Sequence, residues 1–379
     1  MRSKLPEVGT TIFTVMTRMA QQYQAINLSQ GFPDFDCPEA LRERVAHYLN
    51  HRCNQYAPMT GVAQLREQIA LKVNDLYGYP ADADHEITVT SGATEALFDA
   101  IQATVQRDDE VIMFDPAYDS YDPAVRLAGG VPVHIPLTQP DWGIDWQRLR
   151  ESINPRTRLI IINSPHNPSG SILTRDDLDE LADVIRGHDI LVLSDEVYEH
   201  MVFDAQQHES VLRHPELRER SFAVFSFGKT YHATGWKAAY CVAPAPLSAE
   251  FRKVHQFVTF TSTSFIQFAI ADFMRDHAEH HLELPAFYQG KRDTFCKLIE
   301  SSRFRFTPSA GTYFQCVDYS AISDVPDMEF VRWLCQEKGV ATIPLSPFYA
   351  QAPDSRIIRF CFCKDDATLQ QAAEILNQL

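Results

Sequence analysis

From Glu86 onward the chain repeats one pattern: a short apolar run, a polar turn, then a helix. The runs are ITVT (87–90), EVIMFD (110–115), VPVHIPL (131–137), RLIIIN (158–163), ILVLSD (190–195) and FAVFSF (222–227). Helical stretches separate them, EALFDAIQATV (95–105) and TRDDLDELADVIRGH (174–188) among them, the latter with a capping signal. Continuously apolar strands that alternate with helices bury both faces in a parallel sheet with helices above and below.

What flanks this block follows another pattern. Residues 10–24 carry Ile12, Val15, Met16 and Met19 at helical spacing, and Pro38 opens a helix, PEALRERVAHYLN. After Pro246 helices dominate, including an amphipathic stretch near 283–301. The tail mixes strands (GTYFQCVDY, RIIRFCF) with helices (MEFVRWLCQEKG, DATLQQAAEILNQL). At 379 residues, 45% of them hydrophobic, the chain is too long for one ordinary domain. The expected division is an N-terminal arm that joins the small domain (1–39), a large α/β domain (40–275) and a small α+β domain (276–379).

Charge and cysteine usage narrow the setting. Lys and Arg number 34 against 50 Asp and Glu, a net charge of −16, which argues against nucleic acid as a partner. The eight cysteines are scattered with no C-x-x-C pair, as expected of reduced thiols in a cytoplasmic protein. Cys361 and Cys363 stand two apart in a strand-like run and point the same way. The opening residues MRSKLPEVGTTIF lack the apolar core of a secretory signal. No run approaches the roughly 20 apolar residues of a bilayer span, so no membrane association is expected.

In an open parallel sheet, ligands bind off the carboxyl ends of the strands. Here those ends carry unusual cargo. ITVT leads into Ser91-Gly92-Ala93-Thr94 at a helix N-terminus, where free N–H groups favour a phosphate. EVIMFD leads to Tyr118, RLIIIN to HNPSG with Asn167, ILVLS to Asp195 and Tyr198, and FAVFSF to Gly228-Lys229. Singly, each has an ordinary explanation as a turn former, cap or core residue. Together they suit one ligand, pyridoxal phosphate, and no metal. Lys229 would supply the Schiff-base amine, since an amine is the side chain that condenses reversibly with an aldehyde. Asp195 would pair with the pyridine nitrogen, Tyr198 and Asn167 would bond the ring oxygen, and Tyr118 would stack on the ring. The Gly92–Thr94 turn, with Ser226, would hold the phosphate.

HNPSG, SDEVY and SFGKTYHATGWK together resemble the fold type I, class I aminotransferases, and the resemblance runs from Ser29-Gln30-Gly31 to Arg359. NLSQGFPDFD, NQYAPMTG, FDPAYDSY and IRFCF are similar to the branch of methionine, kynurenine and glutamine aminotransferases. The resemblance implies a large domain with a mostly parallel seven-stranded sheet between helices, a smaller α+β domain, and a homodimer. It places Arg359 at the grip on the substrate α-carboxylate, and Tyr56 at the tyrosine that reaches the other subunit's phosphate. Lys237 falls where many relatives carry a phosphate-binding arginine, and Ala239 where a glycine is usual. The side-chain pocket would draw on Phe13, Gly31, Phe32, Tyr56 and Phe260, the last from the partner subunit. The implied reaction moves the amino group of methionine, kynurenine, phenylalanine or glutamine to a 2-oxo acid. The alternative on the same fold is a cysteine-S-conjugate β-lyase, which would share every coenzyme contact.

Overall fold

A computed structural model describes residues 2–379. Its strands are β1 (Ile26–Asn27), β2 (Ile87–Thr90), β3 (Glu110–Asp115), β4 (Val131–Pro136), β5 (Thr157–Asn163), β6 (Leu191–Asp195), β7 (Ser221–Ser226), β8 (Ala239–Val242), β9 (Phe314–Asp318), β10 (Val340–Ala341), β11 (Ile343–Pro344) and β12 (Ile357–Cys361). Seven of them form the main sheet in the order β2-β8-β7-β6-β5-β3-β4.

All six strands expected from the apolar runs are present and run the same way. The seventh, β8, is inserted antiparallel between β2 and β7, with Thr90 opposite Ala239 on one side and Ser226 opposite Ala239 on the other. Because β8 is reversed, β2 keeps the direction of the parallel strands. Its carboxyl end, and the Ser91–Thr94 turn beyond it, therefore reach the same edge of the sheet as the ends of β6 and β7. Ala239, where a glycine is usual among the proteins the sequence resembles, is fully buried as the first residue of β8.

Both faces of the sheet are covered. Ile112, Ile160, Val192 and Phe225 pack into one helical layer, and their neighbours Val111, Leu159, Leu193, Phe222 and Val224 into the other. Strand alternation sends successive side chains to opposite faces, and each such fully buried side chain contributes roughly 1.5–3 kcal/mol. The helix Arg175–Ile185 begins in a reciprocal cap, with the Thr174 hydroxyl and the Asp177 carboxylate each accepting the other's backbone N–H.

A second core joins the two ends of the chain. β1 pairs in parallel with β10, and β11-β12-β9 form an antiparallel sheet. Met16, Ala20 and Leu28 from the amino-terminal segment pack there with Phe330, Ile358 and Leu369. All eight cysteines are free thiols, and the Cys361 and Cys363 sulfurs lie 3.1 Å apart. Among the described residues no helix is long and apolar enough to cross a membrane.

Candidate active site

A cavity of about 240 Å³ opens where the carboxyl ends of β2, β5, β6 and β7 meet β12 and the amino-terminal segment. At one end Gly92 caps the helix Ala93–Thr104 with φ +89°. A Cβ at Gly92 would lie 2.9 Å from Lys237 Nζ, so only a bare backbone lets that amine sit over the helix start. Glu95 and Ala96 turn their N–H groups back to Gly92 O, which leaves those of Ala93 and Thr94 at the cavity wall. Ser226 stands beside them. Oriented N–H groups and an ammonium over a helix N-terminus form a cradle for a dianion.

Asp195 lies deeper, at the end of β6. Its Oδ2 accepts from the Tyr121 hydroxyl at 2.6 Å and its Oδ1 from Val197 N–H at 3.4 Å, while Asn163 Nδ2 donates to its backbone oxygen at 2.8 Å. Burial pushes this carboxyl up to about 6, against the lowering effect of the Tyr121 bond. A carboxylate held dry with so few donors favours a partner that brings a proton and a positive charge. Tyr118 lines the wall above, its ring edge-on to Tyr121 at 5.6 Å, and burial raises its phenol to about 12.

Lys229 does not end the strand, as the run FAVFSF suggested. β7 stops at Ser226, and Phe227–Thr230 coil into a single helical turn that carries the lysine into the cavity. Its Nζ donates to Tyr313 Oη at 2.9 Å and to Gly31 O at 3.3 Å, and stands 5.3 Å over the Tyr198 ring. Burial lowers its pKa to about 8, so the neutral amine is accessible near neutral pH. Tyr198 itself is buried, edge-on to Tyr313 at 5.2 Å.

Arg359 on β12 is completely buried. Its Nη1 donates to Asn167 Oδ1 at 2.6 Å and its Nη2 to Ser29 O at 3.0 Å, and the guanidinium lies 3.8 Å from the Phe314 ring centroid. Nε has no partner and no carboxylate pairs with the group among the described residues. An unpaired buried guanidinium is a binding site for an anion. Since Arg359 occupies Asn167 Oδ1, the amide NH2 of Asn167 is left to donate into the cavity; its backbone N–H is fixed by Asn163 Oδ1 at 2.8 Å. Phe13 and Gly31 complete this end.

Three expected residues stand outside the cavity of the single chain. The Phe32 ring turns toward Lys364 Nζ, 4.9 Å away, while its carbonyl accepts from the same amine at 2.7 Å. Tyr56, 85% exposed, and Phe260 meet each other edge-on at 5.6 Å on the surface. Among residues not singled out in the sequence, Asn163 and Phe314 line the cavity, and Tyr121 and Tyr313 bond Asp195 and Lys229 from behind. Asn163 closes a strand run and Tyr121 follows Tyr118 by three residues at the start of the next helix, signals that the strand-end argument could have used. Tyr313 and Phe314 come from β9 and its approach, a region with no motif to mark it.

The glycine-floored cradle, the dry carboxylate and the amine of lowered basicity match the phosphate, ring nitrogen and aldehyde of pyridoxal phosphate in turn. The chain matches the family model for aminotransferases of class I and II over residues 23–376. It is 57% identical to the methionine aminotransferase of Escherichia coli, over all of this chain and 98% of that one. Human kynurenine–oxoglutarate transaminase 3 is 33% identical, with 99% of this chain and 89% of that one covered. A crystal structure of an Escherichia coli protein identified as a methionine aminotransferase superposes with a TM-score of 0.98 at 56% identity, covering all of this chain and 99% of that one.

Proposed function

The chain belongs to the class I and II aminotransferases, and from that premise we propose that it moves the amino group of methionine to a 2-oxo acid. Aromatic and neutral donors (kynurenine, phenylalanine, glutamine) are further substrates in this reading, and pyridoxal phosphate is the coenzyme. The observation that carries it is the buried, unpaired Arg359 facing Lys229 across one cavity. The relatives matched are aminotransferases, which favours transfer over the β-lyase alternative.

When bound, pyridoxal phosphate supplies an aldehyde that attaches amino groups reversibly and a ring that accepts the electron pair left as a proton leaves Cα. The chain supplies the rest. Gly92, Ala93, Thr94, Ser226 and Lys237 bind the phosphate, and Asp195 keeps the ring nitrogen protonated. Tyr198 and the Asn167 amide donate to the ring oxygen, and Tyr118 covers the ring face. Arg359 grips the substrate carboxylate, which orients the Cα–H bond toward Lys229. The Lys229 amine takes up the α-proton as general base and, as general acid, would deliver it to the coenzyme carbon that carried the aldehyde, so that the amino group stays behind when the 2-oxo acid leaves.

Specificity follows from what the far wall lacks. Phe13 and Phe314 are apolar, and the cavity's cations are Lys229, Lys237 and Arg359, each already engaged in this scheme. Among the described residues lining the cavity no further cation is left for a distal carboxylate, whereas a thioether or a flat ring gains contacts with aromatic faces. Tyr56 and Phe260 meet on the surface, and Phe257, three residues before Phe260, is exposed as well, which supports a homodimer in which Tyr56 and Phe260 complete the partner's site. The free thiols support a cytoplasmic location, and the two separate cores support a division near residues 39 and 275.

The test is to mix coenzyme-loaded protein with single amino acids and follow the visible band of the lysine-bound coenzyme. Methionine and the aromatic donors should discharge it, and aspartate should not at equal concentration. A band discharged fastest by aspartate contradicts the substrate reading.

A further inference from the structure

Lys229 has an unusual hydrogen-bonding environment for a lysine. A neutral amine has two N–H groups and one lone pair. Among the described residues its contacts are two acceptors, the Tyr313 hydroxyl at 2.9 Å and Gly31 O at 3.3 Å. The same hydroxyl is 2.6 Å from Gly31 O. A carbonyl can only accept, so the one phenolic hydrogen of Tyr313 is committed to Gly31 O, and its oxygen lone pairs are free to receive a hydrogen from Lys229.

We propose that Tyr313 is a positioning residue for the Lys229 amine: its hydroxyl and the Gly31 carbonyl take the two N–H groups and leave the lone pair facing the cavity. The lone pair is what removes the α-proton. A freely rotating amine would present it only part of the time, and orientation of a reacting group is worth a large share of a barrier. On taking the proton, the nitrogen gains a third N–H in the place of the lone pair, and that proton is the one it then delivers to the coenzyme carbon that carried the aldehyde. Both acceptors stay in place through the cycle.

The surroundings of Tyr313 favour a fixed phenol. It is fully buried, edge-on to Tyr198 at 5.2 Å and to Phe314 at 4.8 Å, and tilted against Tyr288 at 5.8 Å. Burial raises its phenol well above the usual range, so it stays protonated and keeps its bond to Gly31 O. The segment bearing Gly31 is held independently by Arg359 Nη2 on Ser29 O, Lys364 Nζ on Phe32 O and Cys361 N on Leu28 O. Deleting the hydroxyl should therefore leave the substrate pocket in place.

The inference rests on Lys229 as the proton carrier, and four variants separate the two claims. Lys229→Ala should abolish turnover; sustained turnover in that variant overturns the reading of the site itself. Tyr313→Phe should lower kcat at least tenfold with KM changed less than twofold. In the coenzyme-free full chain, the midpoint of pH-dependent acetylation of Lys229, read by mass spectrometry, should move to lower pH, because the ammonium loses an acceptor. Tyr313→Met, which also lacks the hydroxyl, should behave alike. Tyr288→Phe removes a neighbouring buried hydroxyl that bonds nothing among the described residues, and should leave kcat and the acetylation midpoint unchanged. The proposal is overturned if Tyr313→Phe keeps the wild-type kcat and midpoint, or if Tyr288→Phe reproduces its defects.

Discussion

A guanidinium as deeply buried as Arg359 has given up its water, and Asn167 Oδ1 and Ser29 O replace only part of it. The planar fork matters as much as the charge, because only the fork can hold a carboxylate through two parallel bonds. Arg359→Lys should therefore lower kcat/KM by roughly 10–100-fold, the equivalent of one charge-assisted hydrogen bond of about 1.5–3 kcal/mol. The loss should fall mainly on KM, and unchanged KM values across methionine and phenylalanine would remove Arg359 from carboxylate binding. A second residue-scale effect concerns pH. Burial works against a charge on His255, but the nearby Asp99 carboxylate, 3.5 Å from Nδ1, the Nδ1 bond to Glu95 at 2.7 Å and Nε2 donating to Met59 O at 2.9 Å outweigh it and raise the ring to about 9. A raised histidine stabilises the fold fully below its unfolded value near 6.5 and loses that contribution as pH climbs through about 9. The melting temperature should fall across that window, and His255→Gln should flatten the fall. A slope identical in the two proteins would show that His255 is not charged in the fold.

The elements that carry these residues were legible to very different degrees. The apolar runs at 87–90, 110–115, 158–163, 190–195 and 222–227 read as strands because burial on both faces leaves an unbroken signature. β8 did not, because nothing local to AYCV encodes an antiparallel insertion between β2 and β7. The turn that lifts Lys229 was hidden for a related reason: Phe227 is as apolar as the strand before it, and the change of direction is set by Gly228, where a Cβ would come 3.1 Å from Thr234 Cα. Contacts between distant segments, such as Tyr313 on Lys229, leave no trace in the spacing of either. The helix Ala93–Thr104 gives a direct prediction. Gly92→Ala would strain a φ of +89° and press a methyl against Lys237, which should weaken coenzyme binding at least tenfold in an absorbance titration while kcat at saturating coenzyme changes less. Undiminished affinity would mean that the phosphate lies elsewhere.

At the scale of the whole molecule, the amino-terminal segment is the piece that ties site and architecture together. Leu28 packs in the second core while Ser29 and Gly31 reach Arg359, Tyr313 and Lys229, so the second core and the strand ends of the main sheet share one cavity. Tyr56, 85% exposed, and Phe257, 84% exposed, are costly in water unless covered. Light scattering should give twice the chain's 43.1 kDa, and Phe257→Asp should shift the protein toward monomer with loss of turnover. A fully active monomer would contradict the shared site.

The account stands on the attachment of the coenzyme to one amine. Purified protein loaded with pyridoxal phosphate, reduced with borohydride and digested, should yield a single modified peptide bearing the pyridoxyl group on Lys229. A pyridoxyl label on any other lysine, or none at all, contradicts it.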